Sequence, residues 1–151
     1  AAARIRLLDH VEGVSDLYCA ADALLLPSIV EGFSLVTLEA LAFGLPLVLT
    51  DVGGARELLD DPVMGVLVPP WKEDLATVGA GELRRLHEHA PGPLVRALVE
   101  AMEAICLAPE AWRSTAPARE ARLRAAYTTT QMARRYEQVF DTFGQSGCRR
   151  G

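Results

Sequence analysis

Lysine is almost missing from this chain of 151 residues, with Lys72 the one lysine among 15 cationic side chains. Between residues 7 and 55 there is neither Lys nor Arg. Nothing in that stretch can therefore neutralise a phosphate by charge, a task cations normally share with backbone amides. The net charge of −5 gives no general reason to expect nucleic acid. Cys19, Cys106 and Cys148 are odd in number and far apart, which signals neither a disulfide framework nor a zinc site and suits a reducing cytoplasm. No Asp-x-Asp pair occurs, so a metal ion held by this chain is not expected. No apolar run reaches the length of a membrane span. No signal peptide, internal repeat or low-complexity segment is visible, and the start of the chain looks cut. The excess of arginine, together with many alanines, is a compositional bias and marks no site.

What is present is enough for one domain with a real core, since half of the chain is apolar. Residues 4–8 read as a short strand, followed by a loop whose His10 either lines a base pocket or, as a lone loop histidine more often is, is solvated. Ser15 is placed to cap a short helix over 16–21. The runs at 23–26, 45–50 and 65–68 are continuously apolar, as parallel strands covered on both faces are. Strands alternating with helices give an α/β fold, a Rossmann-like parallel sheet with flanking helices. After Pro70 the chain turns polar and helical in tendency to about residue 89, weakened by Gly79 and Gly81. Leu94, Val95, Leu98, Val99, Met102, Ile105 and Cys106 then make one apolar face of a helix ended by Pro109, and Pro117 interrupts the next stretch. Thr128-x-x-Gln131 resembles a capping box. It opens a last helix whose Met132, Tyr136, Val139, Phe140 and Phe143 face one way, and both apolar stripes are read as core. Gly144 closes that helix, so residues 1–143 form one domain and 144–151 a flexible tail.

The organising stretch is 27–54. Ser34 suits an N-cap whose hydroxyl accepts from the amide of Val36 or Thr37. A helix over 35–43 should follow, with Gly44 at the left-handed position past its end and Pro46 forbidding continuation. Glycine ahead of a helix that follows an apolar strand invites an anion, because free amides and the positive dipole end meet there. Such loops lie at the carboxyl ends of strands, where sheets of this kind bind ligands. Glu39, one turn into the helix, leans back toward the loop that carries Glu31. Its neighbours Leu38, Ala40, Leu41 and Ala42 predict a largely buried helix, and a carboxylate there needs a partner. An acceptor-only group beside an anion-binding amide cluster fits vicinal hydroxyls next to phosphate, as in a nucleotide ribose. Glu31 also reads as a charge favourably placed near a helix N-terminus, and Val36 as plain packing. Gly53-Gly54 opens a helix over 55–59 and forms either a wall of the pocket or an ordinary turn.

The segment from Glu31 through Gly32, Phe33, Ser34, Leu35, Val36, Thr37 and Leu38 to Glu39 resembles the E-x7-E signature of retaining glycosyltransferases of the GT-B fold, family 4 or group 1 type. The flanks agree: Ala21-Asp22, Pro27-Ser28, Gly44-Leu45-Pro46, Asp51-Val52-Gly53-Gly54 and Glu57. The likeness covers about residues 4–76 and the later helices only loosely; it implies that the last helix reaches back onto the other domain, so that part of its aromatic face is expected to lack its partner here. It implies the C-terminal, donor-nucleotide-binding part of such an enzyme, with the phosphate-binding Arg and Lys earlier in the domain and the acceptor site on a separate N-terminal domain. Glu39 would then hold the ribose and Glu31 the donor sugar, as the candidate catalytic residue. The amides of Gly32, Phe33, Ser34 and Leu35 would face sugar and diphosphate, with Val36 against the nucleoside. The sugar would pass from a nucleotide-sugar, a substrate, to an acceptor hydroxyl with retention, without cofactor or metal. Peripheral membrane association of the full-length protein fits the resemblance as well. A sugar-nucleotide epimerase or phosphorylase of the same fold and a non-catalytic nucleotide-binding or interaction module are the alternatives.

In the resembled sheet, of strand order 3-2-1-4-5-6, residues 4–8 correspond to the third strand. The runs starting at Ala23, Leu45 and Gly65 are the fourth to sixth. Two strands are then missing between 4–8 and 23–26. A fragment of these residues alone is expected to be inactive and to self-associate through the apolar edge at 23–26. Residues 4–8 should either detach or pair directly with that edge.

Overall fold

The computed structural model describes residues 4–72, 77–88 and 91–145. Its elements are α1 (Ser15–Ala20), β1 (Leu24–Leu26), α2 (Leu35–Ala42), β2 (Leu47–Thr50), α3 (Ala55–Leu58), a 3-10 turn (Pro62–Met64) and β3 (Gly65–Val68). Five helices follow: α4 (Ala80–Glu88), α5 (Gly92–Leu107), α6 (Pro109–Ser114), α7 (Ala116–Ala126) and α8 (Thr129–Gln145). The three expected apolar strands make one parallel sheet in the order β1-β2-β3, with Leu24 opposite Leu47 and Leu47 opposite Gly65.

The central strand explains why the runs are continuously apolar. All four residues of β2 are buried, and successive side chains leave by opposite faces. Leu47 and Leu49 pack with Tyr18, Ala40, Leu41, Leu58 and Met64, so α1, α2 and α3 cover one face. Val48 packs with Val68, Leu94, Ala101 and Ile105, so α5 covers the other. Each fully buried Leu or Val here contributes about 1.5–3 kcal/mol.

α2 ends as expected. Gly44 has φ +71, its amide donates to Leu41 O at 3.0 Å, and the Leu45 amide donates to Ala40 O at 3.0 Å. These two bonds satisfy orphan carbonyls in a Schellman arrangement. Gly44 also lies against α7, where an added Cβ would stand 2.8 Å from Ala116 Cβ. At that contact sits Arg119, wholly buried. Its Nε donates to Gly44 O at 2.7 Å, and its Nη1 donates to Val63 O at 3.0 Å and Thr115 Oγ1 at 2.8 Å. Nη2 donates to Trp112 O. None of these partners is a carboxylate, and burial pulls its pKa below the ordinary arginine value. It remains a cation, held by carbonyl dipoles at the negative end of α2.

Several expectations are corrected. Residues 5–8 form no strand, and Leu7 is 94% exposed. A strand exists through its ladder, and no described strand lies beside this segment, so it is detached. β1 therefore has no partner on its outer side among the described residues, and Leu25 is exposed. α1 begins at Ser15, with Val14 in the N-cap position and no side-chain cap. The Thr128 hydroxyl accepts from the Gln131 amide at 3.2 Å, as the capping-box pattern predicts. The stripe of α8 is not core: Met132, Tyr136, Val139, Phe140 and Phe143 are all exposed. On α5, Leu94 and Ile105 are buried and Leu98 and Met102 pack at the margin of the core, but Val95, Val99 and Cys106, expected on the same face, are exposed, because they turn away from the sheet. α8 continues through Gly144 to Gln145, because one glycine weakens a helix without ending it. The rest of the expected tail, 146–151, lies outside the described residues, as does part of the polar stretch at 73–76 and 89–90. Cys19 and Cys106 are free and exposed.

Arg119→Ala leaves the carbonyls of Gly44 and Val63 without their donor and should destabilise the protein by roughly 2–4 kcal/mol. Urea unfolding measures this, and an unchanged midpoint would mean that water replaces the guanidinium without loss.

Candidate functional site

The loop over 27–34 leaves the carboxyl end of β1 and meets the turn that leaves β2. Their junction is made by backbone. The Gly54 amide donates to Gly32 O at 2.7 Å, and Thr50 Oγ1, from the buried end of β2, donates to Ser28 O. Gly53 has φ +54, and a Cβ there would overlap the carbonyl oxygens of Glu31 and Gly32. An ordinary turn does not require this: the glycine pair is the wall against which the 31–32 loop is pressed. Ahead of α3, Asp51 is ion-paired with Arg56.

Beneath the junction is a cavity of about 20 Å³ lined by Glu31, Gly32, Ser34, Thr37, Thr50 and Val52, with apolar side chains below. That is room for about one water, so a larger ligand has to lie across its mouth. Gly32 faces open space, with nothing within 4 Å of an added Cβ. The Glu31 carboxylate turns back on its own loop, Oε1 accepting from the Gly32 amide at 3.1 Å. One of the amides expected to meet a ligand is thus occupied.

Ser34 stands at the N-cap with extended backbone, but its side chain makes no capping bond. Instead Thr37 Oγ1 donates to Ser34 O at 2.6 Å. A hydroxyl three residues on reverses the expected bond, because Thr37 is buried and its own donor must find a carbonyl. The consequence is an uncapped first turn with no acidic side chain in it, so the positive end of α2 stays open toward the loop.

Glu31, Gly32 and Ser34 are brought together at the cavity, while Phe33, Leu35, Val36 and Glu39 are not among its lining. Phe33 and Leu35 instead line a groove of about 530 Å³ shared with Tyr127, Met132, Tyr136 and Val139, and the Phe33 ring lies 5.6 Å from that of Tyr127. Val36 is 42% exposed. Glu39 is exposed rather than buried, because α2 turns Thr37, Ala40 and Leu41 inward. Its Oε2 accepts from the Tyr18 hydroxyl of α1 at 2.9 Å. Tyr18 and Arg119 were not legible as partners, since neither lies in the motif. Among the described residues, no cluster of His, Cys, Asp and Glu could hold a metal ion, and no helix is long and apolar enough to cross a membrane.

A three-stranded parallel sheet flanked by helices, with the uncapped N-terminus of α2 following the carboxyl end of β1, defines an α/β domain. Residues 1–89 match the family of Glycosyl transferases group 1, and the chain belongs to that family. It is 38% identical over 73 residues to an uncharacterized glycosyltransferase of Methanocaldococcus jannaschii, covering 47% of this chain and 19% of that protein. Over 59 residues it is 51% identical to a D-inositol 3-phosphate glycosyltransferase of Geodermatophilus obscurus, covering 39% and 13% of the two chains. Sucrose-phosphate synthase from Thermosynechococcus elongatus superimposes with a TM-score of 0.63 at 24% identity, over 89% of this chain and 28% of that one. This last likeness shows the fold, that of part of a GT-B glycosyltransferase. The matched curated relatives are much longer: the chain spans about a fifth of the first and less of the second.

Gly53→Ala should destabilise the protein by roughly 2 kcal/mol or more, because the left-handed backbone is strained and the added methyl separates the two loops. A thermal-unfolding scan tests this, and an unshifted midpoint would show that the 31–32 loop yields freely.

Proposed function

We propose that this chain supplies donor-binding elements of a retaining glycosyltransferase that moves a sugar from a nucleotide-sugar to an acceptor hydroxyl. The observation that carries the reading is the uncapped first turn of α2, flanked by Glu31 in the loop and Glu39 within the helix, inside the segment that matches the family. Open amides favour the diphosphate. Carboxylates open to a ligand favour hydroxyls: the exposed Glu39 those of the ribose, and the half-buried Glu31 those of the sugar lying across the cavity mouth. The amides of Phe33, Ser34 and Leu35 would attend sugar and diphosphate, and Val36 the nucleoside. Gly32 allows close approach of the chain.

A leaving nucleoside diphosphate gathers negative charge, and helix amides alone compensate it weakly. Arg56, the first cation after residue 6, is already paired with Asp51. The transfer reading therefore calls for cations from elsewhere in the whole protein, and the acceptor for a further domain. A nucleotide-binding module without transfer is favoured by that same lack of cations. Turnover of a nucleotide-sugar by the full-length protein separates the two.

In the full-length protein, Glu39→Ala should weaken nucleoside diphosphate binding at least about tenfold, the loss of one or more hydrogen bonds to a charged group. Calorimetry reports it, and unchanged affinity in a folded variant removes Glu39 from the site. Glu31→Ala should lower turnover of the nucleotide-sugar more than affinity for the bare diphosphate, since its contact is the sugar. Equal losses in both measurements would refute that division.

A further inference from the structure

Tyr18 is mostly a core residue. It is 7% exposed, and its ring stacks on Phe43 with centroids 5.4 Å apart and planes at 28°. Phenylalanine would fill that space equally well. The hydroxyl is different, because it leaves the core and donates to Glu39 Oε2 at 2.9 Å. Among the described residues no other hydrogen-bond donor or ion-pair partner engages that carboxylate. A carboxylate in contact with water needs no such partner for its own solvation. What the bond changes is geometry: a glutamate with free side-chain torsions is held in one orientation, anchored through a ring that packing keeps still.

An ionised carboxylate has about four acceptor sites on its two oxygens. Tyr18 takes one of them, leaving all of Oε1 and part of Oε2. Vicinal hydroxyls present two donors side by side, and an immobilised carboxylate can accept both without ordering a flexible chain at the moment of binding. We propose that Tyr18 is a positioning residue that presents the Glu39 carboxylate to the vicinal diol of the donor ribose. This rests on the reading of Glu39 as the ribose acceptor.

The test uses the full-length protein, as Tyr18→Phe, Glu39→Ala and the double variant. The ligand is whichever of UDP, GDP and ADP binds, together with its 2′,3′-dideoxy counterpart. Calorimetry should show Tyr18→Phe weakening the ribonucleotide roughly five- to tenfold, about one hydrogen bond's worth, while the dideoxy compound is unaffected. The loss should vanish in the Glu39→Ala background. If Glu39→Ala leaves the preference for ribose over dideoxyribose unchanged, the ribose role of Glu39 falls and this inference with it. If Glu39→Ala abolishes the preference and Tyr18→Phe does not reduce it, only the role of Tyr18 is overturned. Equal weakening of both ligands would assign Tyr18 to packing alone and also overturn it. A second readout needs no ligand. The Tyr18 phenol ionises above the ordinary tyrosine range, through burial first and then through the bond and charge of Glu39. Its ultraviolet titration, isolated as the difference from Tyr18→Phe, should therefore move down in Glu39→Ala, and an unmoved titration would mean that the pair does not exist in solution.

Discussion

The contact between the Asp51-to-Gly54 turn and the backbone of Glu31 and Gly32 sets the shape of everything at the carboxyl edge of this sheet. Two loops from adjacent strands approach until carbonyl oxygens occupy the space in which a side chain would begin. The Gly54 amide closes the joint on Gly32 O, and the Thr50 hydroxyl closes it again on Ser28 O. With the loop pinned from below, Gly32 faces outward and the first turn of α2 starts from a defined place. Backbone contact of this kind tolerates no slack, because neither side can change rotamer to relieve a clash.

α2 is held at both ends by side chains that donate to backbone carbonyls. At the start, Thr37 ties itself to the Ser34 carbonyl. At the far end, Arg119 spans Gly44, Val63 and Trp112, joining α2 to α6, α7 and the turn before β3. A buried cation without a carboxylate is unusual, since desolvation opposes it. Here carbonyl oxygens of three segments and the negative end of a helix share the charge, and removing it would leave them unpaired. Glu39 gains its orientation from this fixed helix and from the phenol of α1.

Apolar surface is left open at β1 and α8. Among the described residues β1 has no partner on its outer side, with Leu25 exposed, and α8 turns Met132, Tyr136, Phe140 and Phe143 to solvent. Aromatic and aliphatic side chains at helical spacing look the same whether they face a core or water. Periodicity reports that a face is apolar, not what lies against it. The stripe of α5, read in the same way, lies partly against β2 and β3, with Leu94 and Ile105 buried and Val95 and Val99 exposed. Only the sheet beneath it made the difference.

Alternation of apolar runs with helical stretches determined the α/β class, the three strands and their parallel sense. Gly44 and Pro46 determined the end of α2, and Thr128 with Gln131 the start of α8. These are local matters, settled by side chains a few residues apart. The family was legible for the same reason, since Glu31 through Glu39 and the flanking glycines form a compact, ordered pattern. Tertiary structure alone decided the rest. It left residues 4–8 without a ladder partner, exposed Glu39 and gave it Tyr18, and made Gly53 a point of backbone contact. Each of these depends on which distant atom arrives within about 3 Å, the range of a hydrogen bond. Position along the chain carries no such distance until the sheet and its helices have packed.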